Sequence, residues 1–127
     1  MYLKDQAGSL IYIRSFWVGL GKDDGTPEGT WVCKAGGKLS NPSWRHPRTN
    51  EYFAANDPKN PIGDYWIALQ GTDANTKGRS GYGIHGTIEP ESIGKQMSLG
   101  CVRMLPADIK LAFKLLVDGK STVTIRR

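Results

Sequence analysis

The chain has 127 residues, a formal net charge of +5 and 39% hydrophobic residues. This length fits one domain with its own core, and the apolar content argues against a disordered protein. No run approaches the roughly 20 apolar residues that span a membrane, no apolar block at the start resembles a secretory signal, and the scattered basic residues do not favour nucleic-acid binding.

The segments "MYLK", "DQAG" and "SLIYIRSFWVGLG" predict a strand, a turn and a second strand. Tyr12 and Phe16 fall on one face of the second strand, and Ile11 and Trp17 fall on the other. Because both faces are largely apolar, we expect this strand to be central and covered on both sides. The chain starts as if midway through a strand, so we expect residues 1–127 to be one domain excised from a longer precursor. A targeting signal would then lie outside this sequence.

Three further strands are predicted in "TWVCK", "GDYWIALQG" and "GYGIHG", and the last of them ends at His85. Between Lys38 and Pro61 the sequence has four prolines and little periodicity. Loops of this length inside a compact domain are uncommon and often functional. We therefore predict a long ordered middle loop, which could act as a lid.

One helix is predicted after Pro106, a residue that suits the first helical turn. Gly119 suits the position after the helix end, and "STVTIRR" alternates as a closing strand. The expected fold is therefore mainly β, a sandwich or barrel-like domain with one α-helix in the C-terminal region. The apolar stripe of the helix consists of Ile109, Ala112, Phe113 and Leu116, with Leu115 widening it.

The chain contains two cysteines and two histidines. A disulfide between Cys33 and Cys101 is one interpretation, and a buried free thiol at Cys33 is another. The four residues lack the closely spaced pairs of a zinc site, so we expect no metal. His46, between Arg45 and Pro47, is interpreted as a loop histidine.

Cys101 has different surroundings, because it follows Gly100 on a predicted tight turn. Backbone N–H groups on such a turn can point at an incoming carbonyl oxygen, as an oxyanion hole requires. A thiol is only a few per cent ionised at neutral pH, so a base is needed. His85 could supply it, although a spacing of sixteen positions does not show that the two side chains are near each other.

The segment "GIHGT", followed by "SIGKQMSLGCVRM", closely resembles the signature of the L,D-transpeptidase catalytic domain of the YkuD type. The resemblance extends to "VGLGKDDGTPEGTW", "NPSW", "NPIGDYWIAL" and "DIKLAFKLLVDGKSTVTI", which together cover nearly the whole chain. It implies a bacterial enzyme of the cell envelope, outside the cytoplasm. The net positive charge is compatible with an anionic cell wall.

The resemblance implies a role for each residue of the motif. Cys101 matches the nucleophile, and His85 matches the residue that takes the thiol proton and later protonates the leaving amine. Ser98 matches the serine that shapes the turn, and Gly86 the glycine that orients the histidine. Gly100, together with Cys101, matches the positions that offer backbone donors to the oxyanion.

Other positions carry weaker expectations. Arg103 matches the motif arginine, which orients substrate or braces the turn, although a surface ion pair is an equal alternative. Trp44, Tyr52 and Trp66 are candidates for the border of a substrate groove, or else packing aromatics. Leu99 stands where many family members have a second histidine, and leucine can neither titrate nor form a hydrogen bond through its side chain.

The resemblance implies peptidoglycan stem peptides as substrates and no cofactor. Cys101 would form a thioester with a diamino acid of the stem and release D-alanine, and an amine acceptor would complete a cross-link. Water as acceptor would give L,D-carboxypeptidase activity, and a free D-amino acid is another acceptor. A catalytically weak wall-binding module is an alternative function. Covalent inhibition by a carbapenem is expected.

Overall fold

The computed structural model describes residues 1–126 and contains eleven strands and one α-helix. The mainly β prediction with one helix near the C-terminus is confirmed. No helix within the described residues is long and apolar enough to cross a membrane. The elements are β1 (Tyr2–Lys4), β2 (Leu10–Tyr12), β3 (Val18–Gly21), β4 (Gly29–Ser40), β5 (Trp44–Arg45), β6 (Tyr52–Phe53), β7 (Tyr65–Gly71), β8 (Gly83–His85), β9 (Gln96–Ser98), β10 (Val102–Met104), α1 (Pro106–Leu115) and β11 (Thr122–Ile125).

Seven strands form the main sheet, in the order β11-β4-β7-β8-β10-β3-β9. The sheet is mixed: β8 and β10 are parallel, as are β3 and β9, and the other neighbours are antiparallel. A parallel pair requires a crossover, and here residues 86–101 make it. The two strands that carry the "GIHG" and "GCVRM" motifs are therefore direct neighbours.

The hydrophobic core lies on one face of this sheet, where helix α1 packs. Alternate residues of the central strands point into it, as expected for a sheet with one covered face. Cys33 is fully buried there, which agrees with its interpretation as a small hydrophobe. The buried residues of the core are Trp31, Cys33, Ile67, Leu69, Ile84, Val102, Met104, Ile109, Ala112 and Ile125.

The prediction of one central strand over "SLIYIRSFWVGLG" is wrong. β2 ends at Tyr12. The backbone N–H groups of the next two residues, Ile13 and Arg14, both donate to the carbonyl oxygen of Met1. β1 and β2 form a separate two-stranded sheet without a covering layer, so its apolar side chains are exposed. Trp17, just before β3, is 79% exposed.

The predicted middle loop contains more regular structure than expected. β4 continues to Ser40 through an irregularity between Cys33 and Lys38, so the loop does not begin at Lys38. Its centre is the β5–β6 hairpin, in which Trp44 pairs with Phe53. The long ordered loop between β4 and β7 therefore covers residues 41–64 and contains a short hairpin.

Helix α1 begins at Pro106 as predicted but ends earlier, with Leu116 as its C-cap. Gly119 has a positive φ of 69°, but it belongs to the following turn, where its N–H donates to the Cys33 carbonyl oxygen over 2.7 Å. Leu115 is 46% exposed and does not widen the buried stripe. The helix is thus shorter and its apolar face narrower than the sequence pattern predicted.

Candidate active site

A row of cross-strand partners crosses the main sheet on the face opposite the core. Trp66 of β7 pairs with His85 of β8, His85 pairs with Arg103 of β10, and Arg103 pairs with Gly19 of β3. Paired residues in a sheet share a face, and their neighbours Ile67 and Ile84 point to the core instead. The sheet register therefore places an imidazole, a guanidinium and an indole side by side.

Cys101 stands one residue before β10. Because Val102 pairs with Ile84, the register extended by one residue sets Cys101 opposite Gly83, on the same face as His85. The thiol is partly buried and its Sγ donates to the Gly81 carbonyl oxygen over 3.6 Å. Cys33 and Cys101 are both free thiols, so the disulfide interpretation is wrong.

The turn before Cys101 is held by Ser98. Its buried hydroxyl donates to the Cys101 carbonyl oxygen over 2.6 Å and accepts from the Gly100 N–H over 3.1 Å. Gly100 has a φ of +134°, and a Cβ there would lie 2.9 Å from the Gly25 carbonyl oxygen, so the position requires glycine. One expectation changes: the Gly100 N–H is occupied by Ser98 and does not face an oxyanion.

Thr26 is a second brace of the same turn, and no role for it was predicted from the sequence. Its buried hydroxyl donates to the Gly100 carbonyl oxygen over 2.9 Å and accepts from the Gly21 N–H over 2.6 Å. This side chain thereby connects the end of β3 to the cysteine turn. The "GTPEG" pattern around Thr26 was visible, but nothing in the local sequence indicates a contact 74 positions away.

One hydrogen bond determines which ring nitrogen of His85 carries the proton. Its Nδ1 lies 2.5 Å from the Gly86 carbonyl oxygen, which can only accept, so Nδ1 carries the proton and Nε2 carries the lone pair. Trp66 stacks on the imidazole with ring centroids 5.7 Å apart and 15° between the planes. Both contacts fix the ring of this buried histidine.

The surroundings keep the His85 and Cys101 side chains uncharged. Burial lowers the pKa of His85 to about 4; the Gly86 hydrogen bond opposes the shift and the charge of Arg103 adds to it. Burial raises the pKa of the Cys101 thiol, against the lowering effects of the Gly83 backbone and of Arg103. At neutral pH the site therefore holds a thiol and a neutral imidazole instead of a preformed ion pair.

Arg103 is held by an ion pair with Glu89, with 2.9 Å between Nη1 and Oε2. The arginine side chain is 15% exposed, and its buried Nε has no hydrogen-bond partner within residues 1–126. Glu89 is anchored in turn by its backbone N–H, which donates to the Thr87 hydroxyl over 3.0 Å. Arg103 therefore braces the site through its ion pair with Glu89. Its positive charge also lowers the pKa values of His85 and Cys101.

The structure does not gather all the candidate groove residues. Trp66 belongs to the site, whereas Trp44 and Tyr52 lie in the β5–β6 hairpin. The Trp44 ring packs against His46 and Phe53, and the Tyr52 ring lies under Arg45. Leu99 is 47% exposed, so it does not serve to pack the interior of the turn. No cluster of three His, Cys, Asp or Glu side chains suited to a metal occurs within the described part of the chain.

Residues 1–125 match the family model described as the L,D-transpeptidase catalytic domain, YkuD. The chain belongs to the L,D-transpeptidase family. It is 40% identical to the putative L,D-transpeptidase YqjB of Bacillus subtilis over 105 residues, which are 80% of this chain and 53% of that protein. It is 32% identical to the probable L,D-transpeptidase YbiS of Escherichia coli, across 94% of this chain and 39% of the relative.

Solved structures show the same fold at lower identity. An L,D-transpeptidase from Mycobacterium smegmatis has a TM-score of 0.64 and 16% identity, over 94% of this chain and 52% of that chain. LD transpeptidase LdtMt1, solved in complex with imipenem, has a TM-score of 0.63 and 18% identity, over 94% and 50%. This family member thus spans about half the length of these relatives.

Proposed function

We propose that this chain is a peptidoglycan L,D-transpeptidase domain in which Cys101 is the nucleophile and His85 is the general base. The observation that carries the proposal is the orientation of the imidazole. The Nδ1–H is bound by the Gly86 carbonyl oxygen, which leaves Nε2 as the only proton acceptor of the ring, on the sheet face that the register assigns to Cys101.

In the first half-reaction the Cys101 sulfur attacks the carbonyl carbon of a stem-peptide diamino acid, and the thiol proton passes to His85 Nε2. The tetrahedral oxygen takes the negative charge, and the N–H of Cys101 is the donor that we assign to it, since the Gly100 N–H is occupied. The C–N bond to D-alanine then breaks, and the leaving amine takes the proton from His85. A thioester on Cys101 and free D-alanine result.

In the second half-reaction an amine of a neighbouring stem attacks the thioester and gives a cross-link. Water in the same place gives L,D-carboxypeptidase activity. Because the thiol and the imidazole are both neutral at rest, proton transfer to His85 accompanies the attack of Cys101 in the first half-reaction. In the second half-reaction His85 takes a proton from the attacking amine or water and returns it to the departing Cys101 sulfur. Ser98 and Thr26 position the turn for both steps.

The substrate implies a location outside the cytoplasm, in the bacterial envelope. The imipenem complex of LdtMt1 supports carbapenem acylation of Cys101 in this chain. The β5–β6 hairpin, with Trp44 and Tyr52, remains our candidate for a lid over the groove. A tryptophan and a tyrosine in that hairpin offer flat faces to a glycan or a peptide.

Release of D-alanine from a purified tetrapeptide stem tests this function. Wild-type protein should release D-alanine, Cys101→Ala should release none, and His85→Gln should lose about 100-fold or more of the rate. Cys33→Ala is the matched control, because it removes the other thiol, and it should keep the rate per folded molecule. Release by Cys101→Ala, or loss only in Cys33→Ala, would refute the assignment.

The second candidate is a weak wall-binding module, and the exposed Leu99 in the motif favours it. That function predicts binding to purified sacculi without D-alanine release from any stem. Replacing Leu99 by histidine should then restore turnover.

A further inference from the structure

The short segment Gly81–Tyr82–Gly83 leads into β8 and lies beside the Cys101 sulfur, and no step of the proposed chemistry involves it. Its last residue begins the strand. Gly81 has a left-handed φ of 80°, a conformation that glycine adopts without steric cost. This glycine therefore allows the chain to enter β8 with the Gly81 carbonyl oxygen turned toward the thiol, from which it accepts a hydrogen bond.

The two glycines of this segment offer the Cys101 sulfur backbone groups of opposite kind. The Gly81 carbonyl oxygen accepts the thiol hydrogen, with 3.6 Å between the oxygen and Sγ. The register of β8 and β10, extended by one residue, sets Gly83 opposite Cys101, and a hydrogen bond from the Gly83 backbone lowers the pKa of the thiol. A group that lowers this pKa favours the thiolate, so it is the N–H donor of Gly83. The segment thus contacts the sulfur in both of its protonation states.

At rest the thiol hydrogen points to Gly81 and away from the base. Within residues 1–126, Sγ donates to the Gly81 carbonyl oxygen and makes no hydrogen bond to His85 Nε2. When the attack begins, the S–H bond breaks and the proton passes to the imidazole, while the Gly83 N–H stays with the sulfur. The segment therefore determines where the sulfur lies when that transfer starts.

Tyr82 fixes the segment on the core side of the sheet. Tyr82 precedes Ile84 by two residues, so both side chains face the core. The Tyr82 ring packs on the fully buried Trp31, with 5.3 Å between the ring centroids and 49° between the planes. The Tyr82 carbonyl oxygen accepts from the Leu69 N–H over 2.9 Å, which joins the segment to β7. Both the ring and the backbone of Tyr82 are thereby held in place.

The same ring supports the cysteine turn from the core side. A Cβ at Gly100 would lie 3.0 Å from the Tyr82 ring, so the ring fills the space beside the residue that precedes Cys101. Ser98 and Thr26 bind polar groups of this turn, whereas Tyr82 packs against its apolar side. The ring of Tyr82 thus contacts the turn that carries the nucleophile, and the two neighbouring glycines contact the sulfur.

We propose that Tyr82 is a positioning residue for the nucleophile, because its ring supports the Cys101 turn and its backbone neighbours hold the sulfur. The assignment rests on the proposed function and deepens it by adding a residue that acts through Cys101. A rigid aromatic ring is the property that matters, since it spans the space from Trp31 to Gly100 with little conformational freedom. Phenylalanine should therefore replace this tyrosine, and leucine should not.

Turnover of a tetrapeptide stem tests the positioning role. A displacement of about 1 Å can cost about 100-fold in rate, so the partial loss of support in Tyr82→Leu should lower kcat for D-alanine release about tenfold. The KM should change by less than about twofold, since the ring faces the core and the stem binds on the opposite face. The conservative variant Tyr82→Phe keeps the ring and should restore kcat to within about twofold of wild type.

Tyr65→Leu is the matched control. Tyr65 is also a partly buried tyrosine packed on the core, and its ring lies 4.8 Å from that of Phe113 at an angle of 43°. Both leucine variants should lose similar unfolding free energy in urea, so rates are compared per folded molecule. Tyr65→Leu should keep kcat, because its ring packs on helix α1. An equal loss of kcat in both leucine variants, or a rise in KM with kcat retained in Tyr82→Leu, overturns the role.

Alkylation of Cys101 by iodoacetamide tests the same role without a cell-wall substrate. The thiolate forms an S–C bond and iodide leaves, so the rate follows the support that residues 81–83 give to the thiolate. At pH 7, Tyr82→Leu should react about tenfold more slowly at Cys101 than wild type, since one hydrogen bond to a charged group is weakened. Tyr65→Leu should react at the wild-type rate. An unchanged or faster rate in Tyr82→Leu overturns the role.

Two safeguards keep the outcome decisive. If Tyr82→Leu does not fold, Tyr82→Met takes its place, because methionine fills a similar length without a ring. If wild-type protein releases no D-alanine, the proposed function fails, and the alkylation rates still decide whether Tyr82 positions the thiol.

Discussion

The indole of Trp66 stacks on the imidazole of His85, with 5.7 Å between the ring centroids. Trp66→Ala should hydrate the ring and raise the pKa of His85 from about 4 toward its ordinary value near 6.5. A pH titration of the His85 ring signal by NMR measures this shift. Trp44→Ala, which alters the β5–β6 hairpin, should leave the titration unchanged, and an equal shift in both variants would contradict the role of the stack.

Removing the charge of Arg103 should raise the pKa values of His85 and Cys101 together, because its cation lowers both. In Arg103→Gln the acid limb of kcat/KM for D-alanine release should therefore move to higher pH. Alkylation of Cys101 by iodoacetamide should also need a higher pH. A lower rate with an unmoved pH profile would assign a purely structural role to the arginine.

Thr26→Val keeps the shape of the side chain but removes its hydrogen bond to the Gly100 carbonyl oxygen and the one it accepts from the Gly21 N–H. Each unpaired buried backbone group costs about 1–3 kcal/mol, so the unfolding free energy and the acylation rate should both fall. Thr76→Val is the control, since it removes a buried hydroxyl that bonds the backbone groups of Thr30, Thr72 and Asp73 instead. In urea unfolding, the control should lose a comparable amount of unfolding free energy. Its acylation rate per folded molecule should be retained.

The low pKa of His85 makes stability depend on pH. The folded state prefers the neutral ring, so this contribution is present above the unfolded pKa near 6.5 and is lost as pH falls toward 4. Between pH 7 and pH 4.5 the loss from this residue should be about 2 kcal/mol. His85→Gln should lose correspondingly less stability than wild type over that range in urea unfolding. His46→Gln, which removes the other histidine, should keep the wild-type loss.

Much of the fold was predictable, because several elements carry strong local signals. β7 has a dense β-branched and aromatic run, and α1 starts at a proline followed by helical spacing. β9 and β10 were not predicted, since three residues are too few to show a period. The exposed β1–β2 hairpin was misjudged, because two apolar faces look the same in sequence whether or not a layer covers them.

The site was predictable from its motif, but its geometry was not. The spacing of His85 and Cys101 does not indicate that β8 and β10 pair in parallel, and that pairing is what brings the motifs together. The role of Thr26 depends on a contact between loops far apart in sequence. Such contacts become visible only when the strands between those loops have been placed.

The most direct test of Cys101 as nucleophile is to map the site of covalent modification by imipenem. After incubation and proteolysis, mass spectrometry should find the added mass on the peptide that contains Cys101. The peptide that contains Cys33 should be unmodified, since that thiol is buried in the core. An adduct on Cys33, or an undiminished adduct in Cys101→Ala, would contradict the account.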